Sequence, residues 1–258
     1  MNSSPLALPR IRVGTLPIDV VDFHGAIDAI DRLISAKNGG TVFTPNVDHV
    51  VMAEHDERFR NAYAAAALSL VDGTPVLWAA RMLRTPLPEK ISGSDLVMPL
   101  LRRAAERGHR VYFLGGAPGV ADLAKSKLEV ALPGIQIVGT DSSRIDINAL
   151  GDADEIAERI QRAKPDLVLV ALGAPKQEIW SHTRAERLKP AVLVGVGASL
   201  DFVAGVQKRA PSWMSSAGLE WLYRLAQEPR RLAARYLLRD PEFVLILLRQ
   251  FAQRSKHS

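Results

Sequence analysis

Apolar runs rich in β-branched residues recur along the chain, and each precedes a turn with glycine or proline and then a helical pattern. Five segments share this order: residues 41–43, 68–71, 111–114, 167–172 and 192–196. Runs without polar alternation suit strands that are buried on both faces, as in a parallel sheet covered by helices. The alternation of strands and helices therefore predicts an α/β, Rossmann-like fold with a mostly parallel sheet flanked by helices.

The same pattern divides the chain into three parts. Residues 1–12 lack the basic start and long apolar stretch of a signal peptide, and we interpret them as a flexible N-terminal tail. Residues 13–210 contain all five strand–helix segments and form the predicted α/β core. Residues 211–258 contain helical stretches, two of which begin with Pro229 and Pro241 at a first-turn position that suits proline. We expect these residues to form a helical appendage.

Composition and charge narrow the classes of protein. The 258 residues include no cysteine, which excludes disulfide scaffolds and thiolate metal sites and fits a reducing cytoplasm. No segment approaches the ~20 apolar residues of a membrane-spanning helix. The formal net charge is +5, and the excess lies in residues 224–258, which hold eight Lys or Arg and three Asp or Glu. This distribution indicates either an anionic partner or a solvated basic face.

The predicted sheet also indicates where a ligand binds. Open parallel sheets bind ligands at the carboxyl ends of their strands, and all five turns would meet at that edge. The residues that they would place around one crevice are Thr44, Asn46, Asp72, Gly115, Gly116, Gly173, Gln177, Gly197 and Ser199.

Several of these residues allow both a functional and a structural interpretation. Asp72 follows an apolar run and precedes Gly73, which suits either a general base or a turn-forming aspartate. The GGAPG sequence at 115–119 suits either a phosphate-binding loop or a tight turn. Lys176 opens a predicted helix, where its charge opposes the helix dipole and hints at an anionic ligand. The dinucleotide pattern GxGxxG is absent, which argues against a nicotinamide-dependent dehydrogenase.

The sequence does not favour a metal site. The DAD sequence at 152–154 matches the Asp-x-Asp pattern of metal-dependent sugar-nucleotide transferases. It precedes a helical pattern, however, and we interpret it as a helix cap. The six histidines show no metal-ligand spacing. We therefore expect neither a metal ion nor another cofactor.

The appendage carries two helical stripes. Arg231, Arg235 and Arg239 recur every four residues, and their planar guanidinium groups suit phosphate. Phe243 and Phe251, with Leu247 between them, form an apolar stripe on the next helix. The apolar stripe fits the protein core, a lipid surface or a partner subunit, so a homo-oligomer is one expectation.

Longer motifs connect the chain with a known family. In chain order they are TPNVDHV at 44–50, VDGTPV at 71–76, ISGSDL at 91–96, FLGGAPGVA at 113–121, PDLVLVALGAPKQEIW at 165–180, VGVGASLDFVAGVQKRAP at 194–211 and GLEWLYRLAQEPRRLAARYL at 218–237. Through these motifs, which extend over about residues 12–240, the chain resembles the WecG/TagA/CpsF glycosyltransferase family.

The resemblance implies an activity and a location. Members of this family move a sugar from a UDP-sugar to a polyprenyl-diphosphate-linked sugar, with inversion and without a metal. They make teichoic acid linkage units, enterobacterial common antigen and exopolysaccharides. For this chain the resemblance implies a sugar of the ManNAc, ManNAcA or glucose type. It also implies a cytoplasmic protein that is peripheral on the inner face of the cytoplasmic membrane.

The resemblance also implies roles for residues. Asp72 matches the proposed general base, and Thr44 and Asn46 match the polar pair beside it. Lys90 stands where many members have arginine, and it keeps the charge without the bidentate fork. The residues expected to bind substrate are Lys90, Gly115, Gly116, Gly173, Lys176, Gln177, Gly197, Arg224, Arg231 and Arg235.

A non-catalytic α/β protein that binds nucleotides or polyanions is the alternative. The basic C-terminal segment has few aromatic residues for stacking and no helix-turn-helix or RNA-binding motif, so we expect no nucleic-acid partner. Release of UDP that requires a lipid-diphosphate acceptor would separate an enzyme from this alternative.

Overall fold

A computed structural model of the protein describes residues 8–147, 150–211, 220–227 and 239–255, together with residues 6, 214 and 229. Its strands, in chain order, are β1 (Arg10–Val13), β2 (Leu16–Asp19), β3 (Gly40–Phe43), β4 (Leu68–Ser69), β5 (Arg110–Gly115), β6 (Gln136–Asp141), β7 (Leu167–Ala171) and β8 (Val192–Gly195). Strands β3 to β8 form one sheet in the order β4-β3-β8-β7-β5-β6. All of its neighbours are parallel. The predicted α/β fold class is confirmed.

Helices connect the strands. They are α1 (Phe23–Ser35), α2 (Val47–His55), α3 (Glu57–Ala64), α4 (Thr74–Met82), α5 (Gly93–Arg107), α6 (Val120–Ala131), α7 (Leu150–Ala163), α8 (Lys176–Arg184), α9 (Ser199–Ala204), α10 (Glu220–Gln227) and α11 (Glu242–Ser255). Several start where the sequence provides a cap. The side chains of Asp22, Asn46, Asp56 and Ser92 each accept a hydrogen bond from a backbone N–H of the first turn.

The sheet is buried on both faces, as the uninterrupted apolar runs predict. Along β5, Val111 and Phe113 belong to the cluster packed against α1, α5 and α6. The alternate residues Tyr112 and Leu114 belong to the cluster on the opposite face, with side chains of α7 and α8. This division follows from the two-residue period of a strand.

Two features of the sheet region differ from the sequence prediction. Strand β6 was not expected, because Gly139 interrupts its apolar run. The structure explains this glycine, since a Cβ at position 139 would lie 2.3 Å from a ring carbon of Tyr112. The antiparallel β1–β2 hairpin begins at Arg10, inside the segment predicted as a tail. An ion pair of 2.6 Å between Arg10 and the buried Asp19 holds its ends together. Residues 10–12 therefore belong to this hairpin.

Helix α11 is split between the core and the surface. Phe243 and Ile246 are buried in a cluster with residues of the hairpin, α2, α3 and α4. Leu248 and Phe251 are more than half exposed, at 59% and 53%. The apolar stripe is therefore core at its start and exposed at its end, and the boundary between residues 210 and 211 stays a prediction. Within the described residues, no helix has the length and apolarity needed to cross a membrane.

Candidate active site

The turns after β3 and β4 are joined at the carboxyl edge of the sheet. The backbone N–H of Asp72 donates to the carbonyl of Pro45 over 2.8 Å. Asn46 caps α2 by accepting a hydrogen bond of 3.3 Å from the backbone N–H of His49, and Thr44, two positions earlier, is buried. Asp72 itself is only partly buried. The structure thus brings the turn of Asp72 to the turn that holds Thr44 and Asn46.

A second junction joins α8 to the turn after β8. The side-chain Oε1 of Gln177 accepts a hydrogen bond of 3.0 Å from the backbone N–H of Gly197. Gln177 also lies close over Gly195, where an added Cβ would be 3.1 Å from its Nε2. Because β8 is the neighbour of β3 in the sheet, this junction adjoins the Asn46 turn. Lys176, in the same helical turn, is exposed.

A layer of buried polar side chains lies among the helices next to these junctions. Nδ1 of His49 is 2.7 Å from the hydroxyl of Tyr63, and both side chains are buried. Burial raises the pKa of Tyr63 well above its ordinary value, and the negative charges of Glu178 and Asp72 raise it further. Helices α2, α3 and α8 and the Asp72 turn therefore share one electrostatic environment.

Glu178 is the fully buried acid of this layer. Its Oε1 accepts a hydrogen bond of 2.7 Å from Nε2 of Gln177. Burial raises the pKa of Glu178 to about 7; the bonds from Gln177 and from its own backbone amide lower it, and the charge of Asp48 raises it. Sequence analysis missed Glu178, although an acidic residue directly before Ile179 and Trp180 in the first turn of a helix was a usable signal.

Lys90 lies next to the Asp72 turn, since the N–H of Ile91 donates to the carbonyl of Val71 over 2.7 Å. Its charge acts on Asp95, which is hydrogen-bonded to Ser92 and paired with Arg209. Burial raises the pKa of Asp95, but these hydrogen bonds and the charges of Arg209 and Lys90 outweigh it and hold the pKa below its ordinary value. Arg209 is thus a second cation in this region that sequence analysis missed.

The glycines predicted to contact substrate fall into two groups. Gly115 ends β5 and Gly116 follows it. A Cβ at Gly115 would lie 2.5 Å from the carbonyl oxygen of Ala171, so close packing against β7 explains this glycine. Gly173 and Gly197 have left-handed backbones, and a Cβ added to either would meet nothing within 4 Å among the described residues. Of these four glycines, only Gly173 and Gly197 lie beside Gln177, which comes four positions after Gly173 and accepts a hydrogen bond from the N–H of Gly197.

The appendage reaches the site through Arg239. Its Nη2 lies 3.2 Å from Oδ1 of Asp48, a buried residue in the first turn of α2, two positions after Asn46. Arg224 lies in α10, but its side chain is outside the described part. Arg231 and Arg235 also lie outside the described residues. Their expected contacts with phosphate stay predictions.

The Asp-x-Asp sequence has a structural role at one of its two acids. Oδ1 of Asp154 lies 3.1 Å from Arg184 and 3.2 Å from Arg187, which ties α7 to α8 and the segment after it. The prediction that DAD precedes its helix was wrong, because α7 already begins at Leu150. In the described parts of the chain, no group of three or more His, Asp or Glu side chains is placed to hold a metal ion.

A cavity of about 370 Å³ lies between α5, α6 and α9, and Ser199 at the start of α9 is part of its lining. Val97, Leu128 and Phe202 contribute to its apolar walls, and Lys127 and Arg209 also line it. Both cations already have protein partners, the carbonyl of Ala204 and Asp95 respectively. Its lining includes neither Asp72 nor Gln177, so we place the candidate active site at the junctions and not in this cavity.

The chain is similar to known proteins over most of its length. A protein from Bacillus spizizenii is 33% identical over 91% of this chain and 91% of its own length. One from Bacillus subtilis is 32% identical over 87% of this chain and 85% of its own, and one from Staphylococcus aureus is 29% identical over 86% and 89%. Each is named an N-acetylglucosaminyldiphosphoundecaprenol N-acetyl-beta-D-mannosaminyltransferase. Since the family model matches residues 11–257, the chain belongs to the glycosyl transferase WecG/TagA/CpsF family.

Proposed function

We propose that this protein transfers a sugar from a UDP-sugar to a polyprenyl-diphosphate-linked glycan, with inversion and without a metal ion. Among the ManNAc, ManNAcA and glucose donors, UDP-ManNAc is the first choice, because three relatives that cover most of the chain are named N-acetyl-beta-D-mannosaminyltransferases. The observation that carries the proposal is the joined pair of turns holding Asp72, Thr44 and Asn46 at the carboxyl edge of the sheet.

The proposed reaction is a single displacement at the anomeric carbon. Asp72 takes the proton from the acceptor hydroxyl as that oxygen attacks, and UDP leaves from the opposite face, which inverts the carbon. Partial exposure of Asp72 supports this role, because an acceptor can reach the carboxylate. Thr44, Asn46 and Gln177 hold the sugar and the attacking oxygen in line.

Positive groups stabilise the departing diphosphate in this proposal. Arg224, Arg231 and Arg235 of the appendage and Lys90 beside the Asp72 turn supply the charge that a metal supplies in other transferases. The ion pair of Arg239 with Asp48 supports the placement, because it anchors the end of the arginine-rich segment to the first turn of α2. The open backbones at Gly173 and Gly197 leave room for the donor to approach.

The acceptor places the enzyme at a membrane. A polyprenyl chain stays in the bilayer, so the protein works as a peripheral enzyme on the inner face of the cytoplasmic membrane. The exposed Leu248 and Phe251 of α11, with the exposed Arg249 between them, support this location, since apolar and basic groups together favour anionic lipid surfaces.

A transfer assay tests the proposal. The full chain is incubated with UDP-ManNAc, UDP-ManNAcA or UDP-glucose and a short polyprenyl-diphosphate-GlcNAc, and the lipid product is identified by mass spectrometry. We expect a product with one donor and no UDP release without the lipid acceptor. Binding of UDP without product from any of the three donors would favour the non-catalytic alternative.

A further inference from the structure

The side-chain amide of Gln177 is held by the protein at both of its ends. Its Nε2 donates to Oε1 of Glu178 over 2.7 Å, and its Oε1 accepts from the N–H of Gly197 over 3.0 Å. A primary amide has two N–H donors and two oxygen lone pairs. Within the described part of the chain, one N–H and one lone pair of Gln177 therefore remain for a ligand.

The two bonds also fix which end of the amide is which. A backbone N–H can only donate, so the group that faces Gly197 has to be the oxygen. A carboxylate only accepts, so the group that faces Glu178 has to be the nitrogen. Without the acid, the bond to Gly197 still selects the oxygen, but a single hydrogen bond does not fix the plane of the amide.

Burial of Glu178 at this position lowers the stability of the fold. Glu178 is fully buried, and its Oε2 has no hydrogen-bond partner among the described residues. The negative charge of Asp48 on α2 opposes the ionisation of Glu178. The charge of Glu178 in turn raises the pKa of Tyr63 on α3, as does the charge of Asp72, and the Tyr63 hydroxyl is hydrogen-bonded to His49. A buried acid with one unsatisfied oxygen costs stability, which an apolar side chain of the same size would avoid.

We propose that Glu178 is a positioning residue that orients the amide of Gln177, so that its free N–H and lone pair face a hydroxyl of the donor sugar. A sugar hydroxyl both donates and accepts, which matches the two remaining sites of the amide. This inference rests on the proposed function, because it assigns the ligand of Gln177 to a sugar. Glu178 itself does not touch the substrate.

The bond between the two side chains is tested without any assay of activity. In a 15N-labelled protein, the side-chain N–H signals of Gln177 are assigned from their loss in Gln177→Ala. We expect these signals to shift with pH around 7 in the wild type, as the pKa of Glu178 is about 7, and not to shift in Glu178→Gln. Signals that do not shift at any pH between about 4 and 9 in the wild type, or that titrate equally in Glu178→Gln, would overturn the proposal.

The functional part is tested with a double-mutant cycle of Gln177→Ala and Glu178→Met. Each single change should lower kcat/KM for the UDP-sugar roughly tenfold to a hundredfold, because a misplaced contact has effects of that size. Glu178→Met should cost less than about threefold in the Gln177→Ala background, since the acid acts through the amide. Glu178→Gln keeps an accepting oxygen and should recover most of the loss, and Glu129→Gln, an exposed acid on α6, serves as control.

Three results separate the possible failures. Losses that multiply in the double variant would overturn the inference, as would a Glu178→Gln variant that is folded but as impaired as Glu178→Met. If Glu178→Met does not fold, the comparison of Glu178→Gln with the wild type decides, and a loss above tenfold counts against the inference. A wild type that transfers no sugar but shows the pH-dependent Gln177 signals would contradict the proposed function and still support the orienting bond.

Discussion

The backbone N–H of Asp72 and the carbonyl oxygen of Pro45 form a hydrogen bond of 2.8 Å, which ties the end of β4 to the end of β3. Neither partner is a side chain, so substitution of Asp72 leaves this bond in place. The proposed base and the Thr44–Asn46 turn are therefore held together by the fold itself. Loss of function at Asp72 can then be separated from loss of structure.

Transfer should survive EDTA. The proposal assigns stabilisation of the diphosphate to arginine and lysine side chains, and Asp154 of the Asp-x-Asp sequence is engaged by Arg184 and Arg187. Initial rates are compared with and without millimolar EDTA after dialysis against the chelator. Loss of activity that is restored only by Mg²⁺ or Mn²⁺ would return the metal-dependent mechanism.

The stability of the protein should depend on pH through Glu178. Its pKa is about 7 in the folded chain, above the ordinary value of 4.5, so the folded state binds more protons between these values. The contribution of Glu178 to the free energy of unfolding is therefore fully present below about pH 4.5 and is lost as the pH rises through 7. A pKa shift of this size corresponds to roughly 3 kcal/mol in the free energy of unfolding.

Glu178→Gln removes this dependence and serves as the matched comparison. Urea unfolding of both proteins at pH 5 and pH 8 should show the variant gaining stability relative to the wild type by a few kcal/mol at the higher pH. Other titrating groups are common to both proteins and cancel in the difference. A difference that is equal at the two pH values would mean that burial does not displace this pKa.

The exposed end of α11 should contribute to membrane binding. Replacing Leu248 and Phe251 together by serine removes two large apolar side chains from the surface but none from the core. Since burial of each is worth about 1.5–3 kcal/mol, binding to anionic vesicles should weaken at least tenfold. Val130, an exposed residue of α6, provides the control Val130→Ser. Equal sedimentation of all three proteins with vesicles would indicate that this face meets something other than lipid.

The sequence predicted the sheet well, because runs such as residues 167–172 and 192–196 are buried on both faces and have no competing helical period. The sequence did not predict β6, because Gly139 interrupts its apolar run. It did not predict the hairpin, because polar residues or a proline separate the apolar residues in each of its short strands. The sequence also did not indicate which part of α11 is buried. A stripe that is apolar all along gives no sign that Phe243 enters the core while Phe251 stays exposed.

The candidate site was predicted only in part for a similar reason. Asp72 and Asn46 lie in the turns after β4 and β3, and Gln177 lies in the first turn of the helix after β7, so the topology of the sheet is enough to bring them to one edge. Glu178 and Tyr63 come from helices, and the effect of the Glu178 charge on Tyr63 depends on how α3 packs against α8. No local pattern in the sequence encodes that packing.

The rate of sugar transfer by Asp72→Asn tests the central claim most directly. The substitution keeps the shape of the side chain and the bond to Pro45 but removes the basic oxygen. With the UDP-sugar and polyprenyl-diphosphate-GlcNAc both saturating, kcat should fall by ~10²–10⁴. UDP binding and the thermal unfolding midpoint should stay at wild-type values, and Glu155→Gln, an exposed acid on α7, should be fully active. A folded Asp72→Asn protein that turns over within a few-fold of the wild type at the same pH would contradict the account.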